Sequence, residues 1–301
     1  MASNNVGEAP KEIPLKIKAY AKINLSLDIL GLRPDGYHEL RSLMQSVSLA
    51  DELCLQAADR LSLNVDRSDL PAGENNIVLK CLRRLQQATG TTAGAKIMLQ
   101  KRIPIAAGLA GGSADGAAAL VAAARLWKLD ISSGRLSRIG AEVGSDIPFC
   151  LNGGAALASG RGETLEPLPP LDFYLLLLKP PVSVSTAWAY SAYDASGAAT
   201  AGGTRRLLQY WSAGDLEGVA RNLSNDLAPA VISGYPKIAA AVETLLRAGA
   251  LGASMSGSGP TVFGIMANSE AARRGYEMLR KNYEVYPCRT VHHGVKLLKE
   301  R

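Results

Sequence analysis

The segment at residues 104–120, PIAAGLAGGSADGAAAL, restricts the fold of this chain more than any other stretch. It places four glycines among the nine residues 108–116, directly before an alanine run. Glycines before a helix let the backbone adopt positive φ and approach a ligand, and the free N–H groups of the first helical turn then face a bound anion. The segment therefore predicts a phosphate-binding turn, with Ser113 as the N-cap of a helix over residues 113–129. A plain glycine-rich turn before a tightly packed helix is the alternative.

The glycine spacing separates this turn from two common nucleotide-binding loops. No Gly-Lys-Ser/Thr sequence closes it, as a Walker loop requires. The spacing also differs from the dinucleotide-binding fingerprint, and the context of a first strand is missing. A nucleotide bound here would need a different architecture.

Composition and charge narrow the classes of function. A chain of 301 residues is too long for the usual single core, so two domains are expected. The formal net charge of +6 suits an anionic small substrate as well as a nucleic acid. The basic residues are scattered and form no stripe that would follow a phosphate backbone, which disfavours nucleic acid.

The cysteines and apolar runs indicate a cytoplasmic protein. The four cysteines form no C-x-x-C pair, so neither a disulfide framework nor a structural zinc site is expected, and no metal-ligating residues are assigned. The most apolar run, residues 173–178, is too short to cross a membrane. The N-terminal stretch lacks the pattern of a signal peptide.

Periodicity predicts a mixed α+β fold. Residues 15–30 alternate like one half-buried strand and lead into a hairpin turn at residues 33–36. The Pro-rich residues 167–170 predict a linker, which gives domains at residues 1–168 and 169–301. Further helices are predicted over residues 77–88, 133–143, 203–222, 235–248 and 269–282. Further strands are predicted over residues 95–99, 173–178, 261–266 and 288–291.

The glycine-rich segment resembles the phosphate-binding motif of the GHMP kinases, which bind ATP without a Walker loop. Further motifs follow the order and spacing of one member: AKINL with DGYH at residues 21–38, GSDIPF at 144–149 and SGSGPTVF at 256–263. That member phosphorylates the C2 hydroxyl of a cytidine-diphosphate-linked methylerythritol in non-mevalonate isoprenoid synthesis. The resemblance spans nearly the whole chain. It implies ATP and Mg²⁺ as cofactors, a ribosomal-protein-S5-like N-terminal domain that binds ATP, and a ferredoxin-like C-terminal domain on the substrate side.

Lys22 and Asp146 are the predicted catalytic pair. Phosphoryl transfer needs an acceptor hydroxyl held in line, neutralised charge and usually one base. Asp146 is expected in a turn between a helix and a strand, where its carboxylate can take the hydroxyl proton, and the resemblance gives it the role of the family's catalytic aspartate. Lys22 can stabilise charge on the transferring group, and the matching lysine of the family contacts that aspartate. A turn-capping aspartate and an exposed strand lysine are the alternatives.

The resemblance also assigns residues to the nucleotide and to the substrate. On the nucleotide side it assigns Pro104, Ala107, Gly108, Leu109, Ala110, Gly111, Gly112, Ser113, Ala114 and Asn76. On the substrate side it assigns Asn24, Tyr37, His38, Thr186, Tyr190 and Gly257. Tyr37 and His38 are expected at the cytosine, with Tyr190 or Trp188 as the aromatic partner. Asn76 is either near the adenine or a plain helix cap. Ala114 stands where many members have a second serine, which leaves the Mg²⁺ ligands open.

Two other functions fit parts of the sequence. One is a kinase of the same superfamily that acts on homoserine, a sugar or mevalonate, against which the DGYH motif argues. The other is a non-enzymatic RNA-binding module, which an S5-like fold and positive charge would allow. The sequence leaves the oligomeric state open between a monomer and a weak homodimer.

Overall fold

The computed structural model describes residues 14–199 and 202–299, which form two β-sheets with helices packed on them. The strands are β1 Leu15–Asn24, β2 Ser26–Leu32, β3 His38–Ala58, β4 Ser62–Val65, β5 Gly94–Gln100, β6 Ala155–Gly160, β7 Thr164–Leu168, β8 Tyr174–Lys179, β9 Ser224–Asn225, β10 Ala250–Met255, β11 Val262–Met266, β12 Glu284–Arg289 and β13 Val295–Leu297. The helices are α1 Ile77–Thr89, α2 Gly111–Leu126, α3 Ser133–Ala141, α4 Ile147–Asn152, α5 Thr186–Ser196, α6 Gly203–Ser212, α7 Leu216–Arg221, α8 Ala228–Gly234, α9 Pro236–Arg247 and α10 Ser269–Leu279.

The first sheet is built on a long hairpin. The strand β3 has 21 residues and pairs antiparallel with both β1 and β2, which confirms the predicted hairpin. The single strand predicted over residues 15–30 is wrong, because the chain bends at Leu25, whose N–H donates to the carbonyl of Leu43. The inner halves of β1 and β2 are buried on both faces, since α2 packs against β1 and α6 packs against β2.

Helix α2 lies across this sheet and starts at the glycine-rich turn. Its alanines are buried, and such small side chains let it pack closely against β1 and β3. The prediction of Ser113 as N-cap is wrong. The N-cap is Ala110, which adopts φ of 55°, so the helix begins at Gly111 and Ser113 lies within its first turn.

The remaining predicted elements are confirmed within a few residues, with two differences. The helix predicted over residues 203–222 is two helices, α6 and α7, because Gly214 turns the chain at φ of 68° and Asp215 caps the second helix. The strand predicted at residues 288–291 overlaps only the end of β12, and the last strand is instead β13, which pairs with β1.

The second sheet has the order β10-β11-β8-β12, and its central strand β8 is buried, as residues 173–178 predicted. Two strands from the C-terminal half also join the first sheet: β9 pairs with β2, and β13 pairs with β1. The domain boundary between residues 168 and 169 stays a prediction. No helix in the described part of the chain is long and apolar enough to cross a membrane.

Candidate active site

Two glycine-containing turns, one before α2 and one before β11, contact each other directly. The Ser256 hydroxyl donates to the carbonyl of Gly108 at 2.9 Å, and the N–H of Thr261 donates to the carbonyl of Ala107 at 3.3 Å. A Cβ on Gly108 would lie 2.2 Å from the carbonyl oxygen of Ser256, and the φ of Gly108 is +74°. Glycine is therefore required at position 108 for this contact to form.

A cavity of about 1180 Å³ opens beside these turns. Most of the predicted site residues line it, although they come from distant parts of the chain. Those in its wall are Lys22, Asn24, Tyr37, His38, Asn76, Pro104, Ala107, Gly108, Ala110, Gly111, Gly112, Ser113, Asp146, Thr186, Tyr190 and Gly257. Leu109 and Ala114 instead face the hydrophobic core behind the wall, so their side chains do not support the predicted contact with a nucleotide.

The turn before α2 presents backbone donors to the cavity. Positive φ at Ala106, Gly108 and Ala110 reverses the chain so that α2 starts at the cavity wall. The N–H groups of the first helical turn, Gly111–Ser113, have no acceptor within the helix, and the positive end of the helix dipole lies there. A Cβ on Gly116 would lie 2.9 Å from Sγ of Cys81, so α2 also packs tightly on α1.

Lys22 and Asp146 meet in the wall of the cavity. Lys22 Nζ lies 3.6 Å from Oδ2 of Asp146 and donates to Oδ1 of Asn24 at 2.7 Å. The Lys22 side chain is 6% exposed and that of Asp146 is 29% exposed. The expected helix-to-strand turn at Asp146 is wrong, because residues 147–152 form α4. Asp146 is the N-cap residue of α4 but makes no side-chain capping bond, so its carboxylate stays turned towards Lys22 and the cavity.

Asn24 joins this pair to the neighbouring turn. Its Nδ2 donates to the Ser42 hydroxyl at 2.7 Å, and its backbone N–H donates to the Ser256 hydroxyl at 3.3 Å. Both ends of the amide therefore have protein partners, since Oδ1 accepts from Lys22. This arrangement holds the ammonium group of Lys22 in one place.

His38 and Tyr190 form an aromatic wall at another part of the cavity. Their rings stack with centroids 4.9 Å apart and an angle of 25° between the planes. His38 Nε2 lies 2.8 Å from Oδ1 of Asp194. Burial raises the pKa of the Tyr190 hydroxyl, which therefore stays protonated at neutral pH. Between the two predicted aromatic partners, it is Tyr190 that lines the cavity, whereas Trp188 packs its edge against Tyr235.

Three other predicted residues have distinct surroundings. Tyr37 is exposed, and the guanidinium carbon of Arg161 lies over its ring, 4.9 Å from the ring centroid. The Thr186 hydroxyl lies 3.0 Å from that of Ser258. Asn76 is the N-cap of α1, where its Oδ1 accepts from the N–H of Val78 at 2.9 Å, as the capping interpretation expected.

Sequence reasoning missed a buried charged cluster next to α2. Lys101 Nζ lies 2.5 Å from Oδ2 of Asp51 and 2.7 Å from Oδ2 of Asp115. Burial lowers the pKa of Lys101 and the two carboxylates raise it, and the net shift is upward. Burial raises the pKa of Asp115 well above its ordinary value. Two signals in the sequence could have indicated this cluster: a lysine directly after a strand, and an aspartate within an alanine-rich helix.

Comparisons with known proteins agree with this geometry. The family models for the N-terminal and C-terminal domains of GHMP kinases match residues 76–154 and 207–285. The chain is 44% identical over 285 residues to the 4-diphosphocytidyl-2-C-methyl-D-erythritol kinase of Caldanaerobacter subterraneus subsp. tengcongensis, covering 94% of this chain and 99% of that protein. It is 47% identical to the protein of the same name from Pelotomaculum thermopropionicum, covering 88% and 94% of the two chains.

Solved structures extend the comparison. A crystal structure of 4-(cytidine 5'-diphospho)-2C-methyl-D-erythritol kinase superimposes with a TM-score of 0.79 at 30% identity, covering 91% of this chain and 98% of that one. The homoserine kinase of Cytophaga hutchinsonii has a TM-score of 0.76 at 24% identity, covering 98% and 100%, and shows the shared fold. These relatives favour a kinase over a non-enzymatic RNA-binding module. The chain belongs to the GHMP kinase family and is an ATP-dependent small-molecule kinase.

Proposed function

We propose that this chain transfers the γ-phosphoryl group of ATP to the C2 hydroxyl of 4-diphosphocytidyl-2-C-methyl-D-erythritol, a step of non-mevalonate isoprenoid synthesis. The observation that carries the proposal is one cavity that holds the Lys22–Asp146 pair, the glycine-rich turn and the aromatic wall together. The relatives of 44% and 47% identity bear the name of this enzyme. The site therefore offers a place for each part of the reaction.

Asp146 and Lys22 act on the reacting oxygen. The acceptor hydroxyl lies against Asp146, whose carboxylate takes its proton while the oxygen forms a bond to the γ-phosphorus. The bond from the γ-phosphorus to the bridging oxygen breaks, and ADP leaves with that electron pair. The ammonium of Lys22, 3.6 Å from the carboxylate, stabilises negative charge on the entering oxygen and the phosphoryl group.

The turn before α2 binds the phosphates of ATP. The backbone N–H groups of Gly111, Gly112 and Ser113 serve as donors at the positive end of the helix. Gly108 and Gly257 allow the two turns to approach each other and the ligand, since both adopt positive φ.

A magnesium ion fits this end of the cavity. Mg²⁺ prefers oxygen ligands and usually takes one or two from the protein, with the rest from phosphates and water. The Ser113 hydroxyl, in the first turn of α2, lines this end of the cavity and offers one oxygen donor for the ion. No group of three or more His, Cys, Asp or Glu side chains in residues 14–199 and 202–299 forms a metal site by itself. When bound, Mg²⁺ neutralises phosphate charge.

The aromatic wall binds the nucleobase of the acceptor. His38 and Tyr190 supply stacked rings with polar atoms at their edges, and the exposed ring of Tyr37 supplies a second aromatic surface. Thr186, the first residue of α5, has its hydroxyl 3.0 Å from that of Ser258, next to Gly257 in the cavity wall. Homoserine and mevalonate have no ring that would use this wall. We also propose that the enzyme works in the cytoplasm, where its free cysteines remain reduced.

The proposal is tested with purified protein, ATP, Mg²⁺ and the cytidine-diphosphate-linked acceptor, with homoserine and mevalonate as competing acceptors. We expect ADP and the 2-phosphorylated product with the first acceptor, and inhibition of this turnover by CDP. Asp146→Asn should lower kcat by about 10²- to 10⁴-fold while the affinity for ATP stays within about threefold. Asp130→Asn, an exposed carboxylate outside the cavity, is the control. Turnover of homoserine or mevalonate instead would refute the proposed substrate.

A further inference from the structure

Helix α5 contacts the ring of His38 through two side chains, Tyr190 and Asp194. Tyr190 covers one face of the ring, and the carboxylate of Asp194 lies 2.8 Å from Nε2. Tyr190 and Asp194 are four residues apart on α5 and so point to the same side of the helix. Tyr193 adds an edge contact with centroids 6.5 Å apart. The His38 side chain is only 10% exposed, and its ring has little freedom to flip.

The carboxylate decides which nitrogen of His38 carries the proton. An ionised carboxylate only accepts hydrogen bonds, so its partner Nε2 must be the protonated nitrogen. In the neutral ring, Nδ1 is then an acceptor. Within residues 14–199 and 202–299, Nδ1 has no hydrogen-bond partner, and His38 and Asp194 both line the cavity.

We propose that Asp194 is a positioning residue that holds His38 in the Nε2–H tautomer, so that Nδ1 selects a nucleobase with an exocyclic amine. Cytosine has an amine donor at C4, whereas uracil has a carbonyl acceptor at the same place. The amine can donate to Nδ1, but the carbonyl would face a lone pair and leave both acceptors unsatisfied. The inference rests on the proposed function, which places the nucleobase of the acceptor at His38.

A second histidine–aspartate pair in the chain supplies a matched control. His292 Nε2 lies 3.1 Å from Oδ1 of Asp172, with both side chains more than half exposed. Neither residue lines the cavity. Removing the charge of Asp172 therefore tests for general effects of losing one carboxylate that faces a histidine.

The experiment measures the dissociation constants of CDP and UDP by calorimetry for the wild type, Asp194→Asn, Asp194→Ala and Asp172→Asn. The asparagine amide can donate to or accept from Nε2, so it no longer imposes one tautomer. We expect the wild type to bind CDP more tightly than UDP, and both Asp194 variants to lose about tenfold of that preference, as for one hydrogen bond. Asp172→Asn should keep the wild-type ratio. The ¹⁵N shifts of His38 should show a proton on Nε2 in the wild type and a tautomer mixture in Asp194→Asn.

The possible results separate this inference from a structural role and from the proposed function. If the Asp194 variants bound CDP and UDP more weakly by the same factor, Asp194 would have only a structural role, and the inference would be overturned. A wild type without preference for CDP, or with Nδ1 protonated, would overturn it as well. Selective CDP binding that depends on Asp194, in a protein that does not phosphorylate the methylerythritol acceptor, would support the inference and refute the proposed reaction.

Discussion

Two buried lysines, Lys22 and Lys101, flank α2, and their surroundings differ in a way that matters for function. Lys101 is 4% exposed and contacts two carboxylates, Asp51 and Asp115, that are 0% and 5% exposed. Lys22 is 6% exposed, but its carboxylate partner, Asp146, is 29% exposed and 3.6 Å away. Both lysines line the cavity, but Lys101 is held by two carboxylates within 2.7 Å, whereas the carboxylate partner of Lys22 is more exposed and lies 3.6 Å away.

The difference separates a charged cluster whose partners are close together from a pair with room for a ligand. Oδ1 of Asp51 accepts from the backbone N–H groups of Arg102 and Ile103, at 2.5 and 2.8 Å, so the Lys101 cluster ties β3 to the segment that leads into the turn before α2. Buried ion pairs of this kind destabilise the fold when one partner is removed, because a charge is left unpaired. A long contact next to a cavity leaves room for substrate atoms between or beside the two charges. Burial of a lysine alone therefore does not identify a catalytic one.

The largest expected effect on catalysis is at the Lys22–Asp146 pair. Lys22→Met should lower kcat by about 10²- to 10³-fold, because charge on the transferring phosphoryl loses a fixed cation. The free energy of unfolding should fall by less than about 2 kcal/mol, since Asp146 remains partly in water. Single-turnover kinetics and urea unfolding of the same preparation measure the two quantities. If Lys22→Met had a normal kcat, Lys22 would have a structural role only, as Lys101 is expected to have.

The largest expected effect on stability comes from removing the cation of the Lys101 cluster. Lys101→Met should lower the free energy of unfolding by about 3–5 kcal/mol, because two buried carboxylates lose their cation. The triple change Lys101→Met with Asp51→Asn and Asp115→Asn should recover part of that loss, since it removes the uncompensated charges. Urea unfolding compares the three proteins. An unchanged midpoint in Lys101→Met would contradict the structural interpretation of this cluster.

The smallest expected effect concerns Gly108, where the turn before α2 contacts the turn before β11. Gly108 and Gly90 have the same φ of +74°, but a Cβ on Gly108 would lie 2.2 Å from the Ser256 carbonyl, while Gly90 has nothing within 4 Å. Gly90→Ala should cost about 1–2 kcal/mol of unfolding free energy, from backbone strain alone. Gly108→Ala should cost about 1–3 kcal/mol more and should also raise the KM for ATP, because the turns must separate.

Equal losses in the two glycine variants, with an unchanged KM for ATP, would show that the turn contact does not shape the site. Thermal unfolding and steady-state kinetics of both proteins decide between these outcomes.

Much of the local structure was predictable because it depends on neighbours in sequence. The apolar spacing of residues 77–88 and the continuous apolar run at 173–178 predicted α1 and β8, and both are present. The motif order indicated the family. The start of α2 was misplaced because the turn depends on positive φ at Ala110, a conformation that alanine rarely adopts and that no local signal announces.

Within the site, long-range contacts decided what motifs could not. Asn76 caps α1, as the hydrogen bond from the N–H of Val78 shows, and it also lines the cavity, so its contact with the nucleotide stays a prediction. Tyr190 was the predicted aromatic partner and Trp188 the alternative, and in the structure Tyr190 lines the cavity whereas Trp188 packs against Tyr235. Asp194 belongs to none of the sequence motifs. Its importance depends on meeting His38 from a distant strand.

By itself, the amino-acid sequence determined the α+β class, the glycine-rich turn before a slim helix, and the residue types that phosphoryl transfer requires. The tertiary structure alone decided that Lys22 lies 3.6 Å from a half-buried Asp146, while Lys101, in the wall of the same cavity, is held by two buried carboxylates. The physical reason is that burial, solvent access and charge partners are sums over atoms from distant segments, so they exist only after those segments have packed together.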